Sequence, residues 1–297
     1  MKTIAVIGPT ASGKSDLAIH AAEASGARIL SLDSLSIYKE IDIASAKPTR
    51  QERRGIVHYG IDVLYPDEPF SVTTFIDLYR TARDECEAAG VPLIIVGGTS
   101  FYLKTLFEGI SETPPTDEAT YLKVRELMHE PSKAYDLLCL KDPAGMGKIE
   151  RGDRYRTEKM LTILLQTGMP PSEWFETHPP VPVLTDCALF EIDVARDVLR
   201  ERIALRTSRM AETGLIDEVA FLERKYGRAP NPMKAIGIVE VLDYLDGKTA
   251  RDDMIEQITI HTAQLAKRQQ TFNRNQFAEK TLLPYDTLSD AVQRALL

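Results

Sequence analysis

The sequence predicts an α/β protein, a P-loop core with a parallel sheet flanked by helices, plus a helical insertion domain. Three observations predict it. Strand-sized apolar runs alternate with helical patterns, a glycine-rich phosphate-binding motif follows the first run, and two proline-rich stretches enclose a helical segment.

Residues Thr3 to Ile7 form a continuous apolar run ended by glycine, the pattern of a strand covered on both faces. A helix follows over Lys14 to Ala24 and stops near Gly26. Arg28 to Leu32 is the next strand and ends at Asp33-Ser34. A helix over about Thr73 to Ala89 precedes the buried strand Pro92 to Val96, which runs into Gly97-Gly98-Thr99. Strands alternating with helices imply a parallel sheet, with its ligand crevice at the carboxyl ends of the strands. Gly8, Asp33 and Gly97 to Thr99 all fall at such ends. Prolines cluster at Ser111 to Thr116 and again from Gly168 to Pro182, around helical patterns at Asp117 to Glu130 and Arg154 to Gln166. The predicted organisation is a first core part over 1–112, a helical insertion over 113–182 and a second core part over 183–297. Leu189 to Val194 alternates like a returning strand, and helices are expected from there to the last residue.

With 297 residues, 43% of them apolar and 27% charged, the composition is that of a soluble globular protein. The longest apolar runs are strand-sized, so no membrane span is expected. The sequence MKTIAVIG leads directly into the P-loop and leaves no room for a cleavable signal. Cys86, Cys139 and Cys187 are far apart and read as reduced thiols, which places the protein in the cytoplasm. The net charge of −8 argues against a nucleic-acid partner on average. Local stripes run the other way. No acid occurs between Ile258 and Ala278, where Lys267, Arg268 and Arg274 lie, and five arginines oppose two acids between Arg196 and Arg209. Such stripes fit either RNA backbone contacts or ordinary solvated helix faces.

The residues Gly8, Pro9, Thr10, Ala11, Ser12, Gly13, Lys14 and Ser15 fit GxxxxGK[ST] at every fixed position. A chance match in a chain this long is on the order of one in a hundred. Glycines let backbone N–H groups approach phosphate oxygens, and the helix N-terminus adds positive potential. Lys14 would neutralise the terminal phosphates and Ser15 would place its hydroxyl on Mg²⁺. A nucleotide-hydrolysing P-loop protein usually ends a later strand with an aspartate for the magnesium shell. Here Leu93 to Val96 ends in Gly-Gly-Thr, and the acid, Asp33, ends the second strand, where it suits an acceptor substrate better than a metal. The plainer alternative for Asp33 is a turn aspartate.

Five segments together resemble the tRNA isopentenyltransferase (tRNA dimethylallyltransferase) family. They are GPTASGKS (Gly8 to Ser15), LSLDSLSIYKEIDIASAKP (Leu30 to Pro48), VGGTSFYLKTLFEGIS (Val96 to Ser111), RTSRMAETGLIDEV (Arg206 to Val219) and QLAKRQQTFNR (Gln264 to Arg274), in family order across nearly the whole chain. The resemblance implies transfer of a dimethylallyl group from dimethylallyl diphosphate to N6 of the adenosine immediately 3′ of the anticodon. The tRNAs concerned read codons that begin with U. It also implies Mg²⁺ as cofactor and a monomer. Asp33 would accept the amine proton, Thr99 would face the acceptor adenosine, and Lys14 with Arg206 would meet the leaving diphosphate. Thr99 also stands where a hydroxyl would cap the next helix. Arg202 and Arg209 share the face of Arg206 by spacing, with a solvated stripe or structural ion pairs as the simpler reading for these two.

A stacked target adenine must be flipped out to reach a crevice, at a cost of about a few kcal/mol that RNA contacts have to offset. The resemblance assigns the anticodon stem-loop contacts to Asp33, Ser34, Leu35, Ser36 and Thr99 near the base. It adds Tyr121, Arg154, Arg156 and Lys159 in the insertion, and Gln264, Lys267, Arg268 and Arg274, with Thr271, along a C-terminal helix. The chain departs from the family pattern at Ser36 (usually Gln), Tyr121 (commonly Arg), Lys159 (Arg) and Ile238-Val239 (usually Tyr then a basic residue). These positions belong to RNA contacts, while the diphosphate motif is complete. Three other readings remain at this point: prenyl transfer to free adenine mononucleotides, a P-loop small-molecule kinase binding ATP, and a non-catalytic RNA-binding module. The insertion and the acid-free helix favour RNA over a mononucleotide. An RNA module leaves the P-loop and Asp33 unexplained.

Overall fold

A computed structural model describes residues 1–296. In chain order the elements are β1 (Thr3–Ile7), α1 (Lys14–Ser25), β2 (Arg28–Leu32), β3 (His58–Tyr59), α2 (Val72–Ala89), β4 (Leu93–Gly97) and α3 (Ser100–Glu108). Five helices follow, α4 (Glu118–Leu127), α5 (Pro131–Lys141), α6 (Pro143–Met146), α7 (Arg154–Thr167) and α8 (Pro171–Thr177). The remainder comprises β5 (Ala188–Ile192), α9 (Arg196–Glu212), α10 (Leu215–Tyr226), a 3₁₀ turn (Asn231–Lys234), α11 (Ile238–Leu245), α12 (Arg251–Gln276), β6 (Thr281–Leu283) and α13 (Tyr285–Leu296). The chain divides into two compact units, residues 1–106 with 184–297, and residues 107–183.

The first unit is built on a parallel six-stranded sheet in the order β3-β2-β4-β1-β5-β6. Strands β1 and β4 sit at its centre and are buried along their whole length, which is why they read as unbroken apolar runs. Helices α1 and α13 cover one face, where Leu17, Ala21, Leu288 and Val292 pack against Ile4 and Val6. A second cluster joins Ile37 and Ile41 to Leu215, Val219 and Leu222 of α10 and to Met254 and Ile258 of α12. Fully burying side chains of this size contributes about 1.5–3 kcal/mol each. The alternation after residue 187 does form β5, but the expectation of helices alone thereafter is corrected by β6, which pairs with β5. A strand of three residues is too short to show a period.

The second unit is helical, and its own small core joins Val124, Met128, Ala134, Leu138, Met146 and Leu161. Buried Asp142 ties α6 to α8, accepting from Gly145 N at 2.8 Å, Ser172 N at 2.8 Å and Ser172 Oγ at 2.7 Å. No helix among the described residues is long and apolar enough to cross a membrane.

Candidate active site

The turn after β1 is shaped by backbone conformations that few side chains permit. Gly13 stands at φ 95° ahead of α1, and a Cβ there would come within 3.2 Å of the Tyr285 ring. Ser12 N donates to Pro9 O at 3.3 Å and closes the loop. Lys14 Nζ, at the first residue of α1, donates to Pro9 O at 3.2 Å. Although Lys14 is only half-buried by surface, its ammonium lies deep among protein atoms. That burial pushes its pKa down to about 8, with Asp33 opposing the shift and Arg206 adding to it.

Helix α9 lays its arginines against this loop. Arg206 Nη2 donates to Thr10 Oγ1 at 2.7 Å and Arg202 Nη1 donates to Ser12 O at 3.3 Å. Arg202 is therefore a P-loop contact, which corrects its reading as a solvated stripe. Burial lowers the Arg206 pKa, opposed by the charge of Asp33. Two buried polar atoms, Ser12 Oγ in the loop and Arg206 Nε beside it, have no hydrogen-bond partner among the described residues. Buried polar groups are nearly always paired, so a donor left open here suits an anionic ligand.

Asp33 follows β2. Its Oδ1 accepts from Leu35 N at 2.8 Å and Ser36 N at 3.0 Å, forming a tight turn that leaves Oδ2 out of both bonds. The Thr99 hydroxyl accepts from Ser34 N at 3.3 Å, and Thr99 N donates to Leu32 O at 3.0 Å, so the ends of β2 and β4 are laced together. Gly97 permits this approach, because a Cβ on it would overlap the Leu32 carbonyl. That position can carry no acidic side chain.

One cavity of about 400 Å³ is lined by Thr10, Lys14 and Ser15, by Asp33 to Ser36, by Thr99 and by Arg206. Its apolar lining comes from Ile19, Ile29, Ile61, Val96, Met210 and Leu265, and the segment Ala44–Pro48 forms part of its wall. Ser36 is 5% exposed and faces the cavity from within, whereas Ser34 is exposed. At the departure from the family pattern, Ile238 belongs to the core and Val239 is exposed, while Lys234, Ala235 and Ile236 line the cavity.

The other RNA candidates lie elsewhere. On α12, Gln264, Lys267, Arg268 and Thr271 line a shallow groove of about 560 Å³ with Phe272, Asn275 and Gln276. Arg274 is exposed on the same helix without lining that groove. In the insertion unit, Tyr121 stacks with Arg125 at 5.8 Å, and Lys159 lies 5.8 Å from the Tyr155 ring. Arg154 Nη2 donates to Met128 O at 3.2 Å, which gives it a structural bond, and Arg156 pairs with Asp153 at 3.5 Å.

Sequence reasoning overlooked Gln269. Its Oε1 accepts from Thr10 N at 2.8 Å and its Nε2 donates to Gly98 O at 3.0 Å, so one side chain of α12 bridges the turns after β1 and β4. Gln269 lies within the segment Gln264 to Arg274, but its role shows only in the bridge.

A parallel sheet with a P-loop motif after its central strand and a mixed polar and apolar cavity over the strand ends defines a P-loop α/β protein with a built ligand site. The chain belongs to the IPP transferase family, whose profile matches residues 36–276; a profile described as isopentenyl transferase matches residues 1–61. The tRNA dimethylallyltransferase of Sulfurimonas denitrificans is 51% identical over 296 residues, covering 100% of both chains. Among solved structures, the tRNA delta(2)-isopentenylpyrophosphate transferase of Staphylococcus epidermidis is 30% identical with a TM-score of 0.71, covering 99% of this chain and 98% of that one. A eukaryotic dimethylallyltransferase acting on tRNA reaches a TM-score of 0.87 at 28% identity, covering 99% of this chain and 78% of that one.

Proposed function

We propose that this protein transfers the dimethylallyl group of dimethylallyl diphosphate to N6 of the adenosine immediately 3′ of the anticodon, in tRNAs reading codons that begin with U. The observation that carries this reading is the shared cavity. The phosphate-binding residues Lys14 and Arg206 and the carboxylate of Asp33 line one space, together with apolar side chains suited to a five-carbon chain.

In the proposed reaction the C1–O bond of the allylic diphosphate breaks and its electron pair leaves with the diphosphate. The N6 lone pair of adenine forms the new N–C bond, and the amine proton passes to Asp33 Oδ2. A base so placed contributes about 10²–10⁴-fold. The bonds to Oδ1 hold the carboxylate while Oδ2 is left for the proton. Charge developing on the leaving group meets P-loop N–H groups, the Lys14 ammonium and the unpartnered Arg206 Nε. Thr99, its hydroxyl already bonded to Ser34 N, would face the adenosine.

Among the described residues no cluster of three or more His, Cys, Asp or Glu could hold a metal. A Mg²⁺ ion would be held by the Ser15 hydroxyl, with diphosphate oxygens and water completing its shell, as this ion commonly is. Bound there, it would supply charge neutralisation to the leaving group.

The tRNA would be gripped by Lys267 and Arg268 on α12, with Arg274 adding charge, and by Tyr121, Arg154, Arg156 and Lys159 of the insertion. Ser34 to Ser36 would meet the flipped base and its neighbours. The enzyme is proposed to act as a cytoplasmic monomer, which sedimentation of the purified chain tests. The decisive assay supplies dimethylallyl diphosphate with unmodified tRNA, with AMP, or with ATP and candidate alcohols. Prenyl-adenosine in tRNA is expected; prenylation of AMP alone, or ADP formation, would sink the reading.

A further inference from the structure

We propose, resting on the prenyl-transfer reading above, that Glu218 is a positioning residue. Through three backbone hydrogen bonds to another segment it sets one wall of the cavity, and with it the length of allylic chain the cavity admits.

Residues 39–48 form no helix or strand, so amides not bonded within a local turn, as Ala46 N is to Ile43 O, need partners from outside. Asp42 N and Ile43 N each donate to Glu218 Oε2 at 2.8 Å, and Ala44 N donates to Oε1 at 2.9 Å. A single carboxylate from the first turn of α10 thus satisfies three successive N–H groups. An acid present only to complement the helix dipole would not engage the amides of another segment.

The same segment is fixed on both sides. Glu40 accepts from Lys225 Nζ at 2.7 Å and from Tyr226 Oη at 2.8 Å, both on α10. Lys47 is buried, donates to Tyr38 O at 2.8 Å and pairs with Asp42 at 2.7 Å and with Asp62. Glu40 and Ala46 hold left-handed backbone at φ 64° and 49°, a conformation that side-chain-bearing residues keep only where surroundings enforce it. Within the middle of the segment Ser45 Oγ donates to Ile41 O and Lys47 pairs with Asp42, whereas Glu218 reaches the backbone there from another element. Ala44 to Pro48, beginning with the last residue Glu218 holds, line the cavity that also contains Ile19, Ile29 and Ile61.

The wall touches the chain of the allylic substrate in the ground state as well as in the transition state. Loosening it therefore weakens binding more than turnover. The test is Glu218→Gln in the full-length enzyme, with an unmodified anticodon stem-loop as acceptor and dimethylallyl or geranyl diphosphate as donor. Glutamine offers one acceptor oxygen, and its NH₂ opposes an N–H. The KM for dimethylallyl diphosphate should rise about tenfold while kcat stays within about threefold. The ratio of kcat/KM for geranyl over dimethylallyl diphosphate should rise, and affinity for the stem-loop should not change. An unchanged KM and ratio would overturn the role of Glu218, as would a fall in kcat at constant KM. If Glu218→Gln does not fold, Glu218→Asp, which keeps the charge and loses the reach, reads the same ratio. A wild-type enzyme that prenylates nothing would overturn the prenyl-transfer reading itself. An active wild type with an unaltered ratio in the variant would overturn only the wall.

Discussion

Asparagine at position 33 would keep an acceptor oxygen for Leu35 N and Ser36 N, so the turn that holds the residue would survive. What it would lose is a place for a proton. Asp33→Asn should therefore lower kcat by about 10²–10⁴-fold while tRNA affinity in a filter-binding titration falls far less. Parallel losses in both would remove Asp33 as the base. Lys14 makes a pH prediction. Its folded pKa, about 8, lies below the ordinary lysine value, so in the empty enzyme its charge is lost as pH rises through about 8. In the proposed reaction the diphosphate draws on that charge, so the KM for dimethylallyl diphosphate should climb above that pH. The sign for stability is the opposite. The unfolded chain holds the Lys14 proton to higher pH than the folded one, so the destabilising burial of the charge is present below about 8 and fades as pH rises further. The P-loop residues and Asp33 were legible because fixed spacing and strand-end position follow from local chain geometry. Gln269, Arg202 and Glu218 were not, since each acts on a residue more than 170 positions away.

At the scale of the element, α12 carries two programmes along one helix. Its inner face, with Met254, Ile258, Thr262 and Ala266, is buried in the core, and Gln269 reaches the P-loop. Its outer face exposes Gln264, Lys267, Arg268 and Thr271. Replacing Lys267 and Arg268 together by Gln should weaken tRNA binding and flatten the slope of log affinity against log salt by about 0.7–0.9 per lost phosphate contact. Thermal stability should barely move, because both side chains are exposed. An unchanged salt slope would make α12 scaffold only. The length and acid-free stretch of this helix could be read in the sequence. Which side faced α9 and α11 required those partners, since apolar Ile260 lies off the buried face and is exposed. The short strands β3 and β6 were invisible for a related reason: two or three residues pair because a neighbouring strand is already in place.

Across the whole molecule, the first unit is closed where the second leaves it. Leu184 N donates to Leu106 O at 2.9 Å, so the two core parts meet at adjacent residues. A short Gly/Ser linker in place of 107–183 has little distance to span. Such a variant should unfold cooperatively and bind dimethylallyl diphosphate within about threefold of the intact chain, whereas prenylation of tRNA should fall sharply. Calorimetry of unfolding and of ligand binding checks both parts. Loss of cooperative unfolding would show that the core depends on the insertion.

The sequence alone determined the P-loop, the central apolar strands, the presence of a helical insertion and the family resemblance. All four arise from short-range spacing, side-chain period and composition, which a linear chain carries without reference to its fold. Tertiary structure decided which oxygen of Asp33 the turn leaves out of its bonds, that α9 and α12 both reach the loop after β1, and that a glutamate of α10 holds the segment at one wall of the cavity. Those facts depend on hydrogen bonds between residues far apart in the chain, and such bonds exist only once the sheet has fixed their distances.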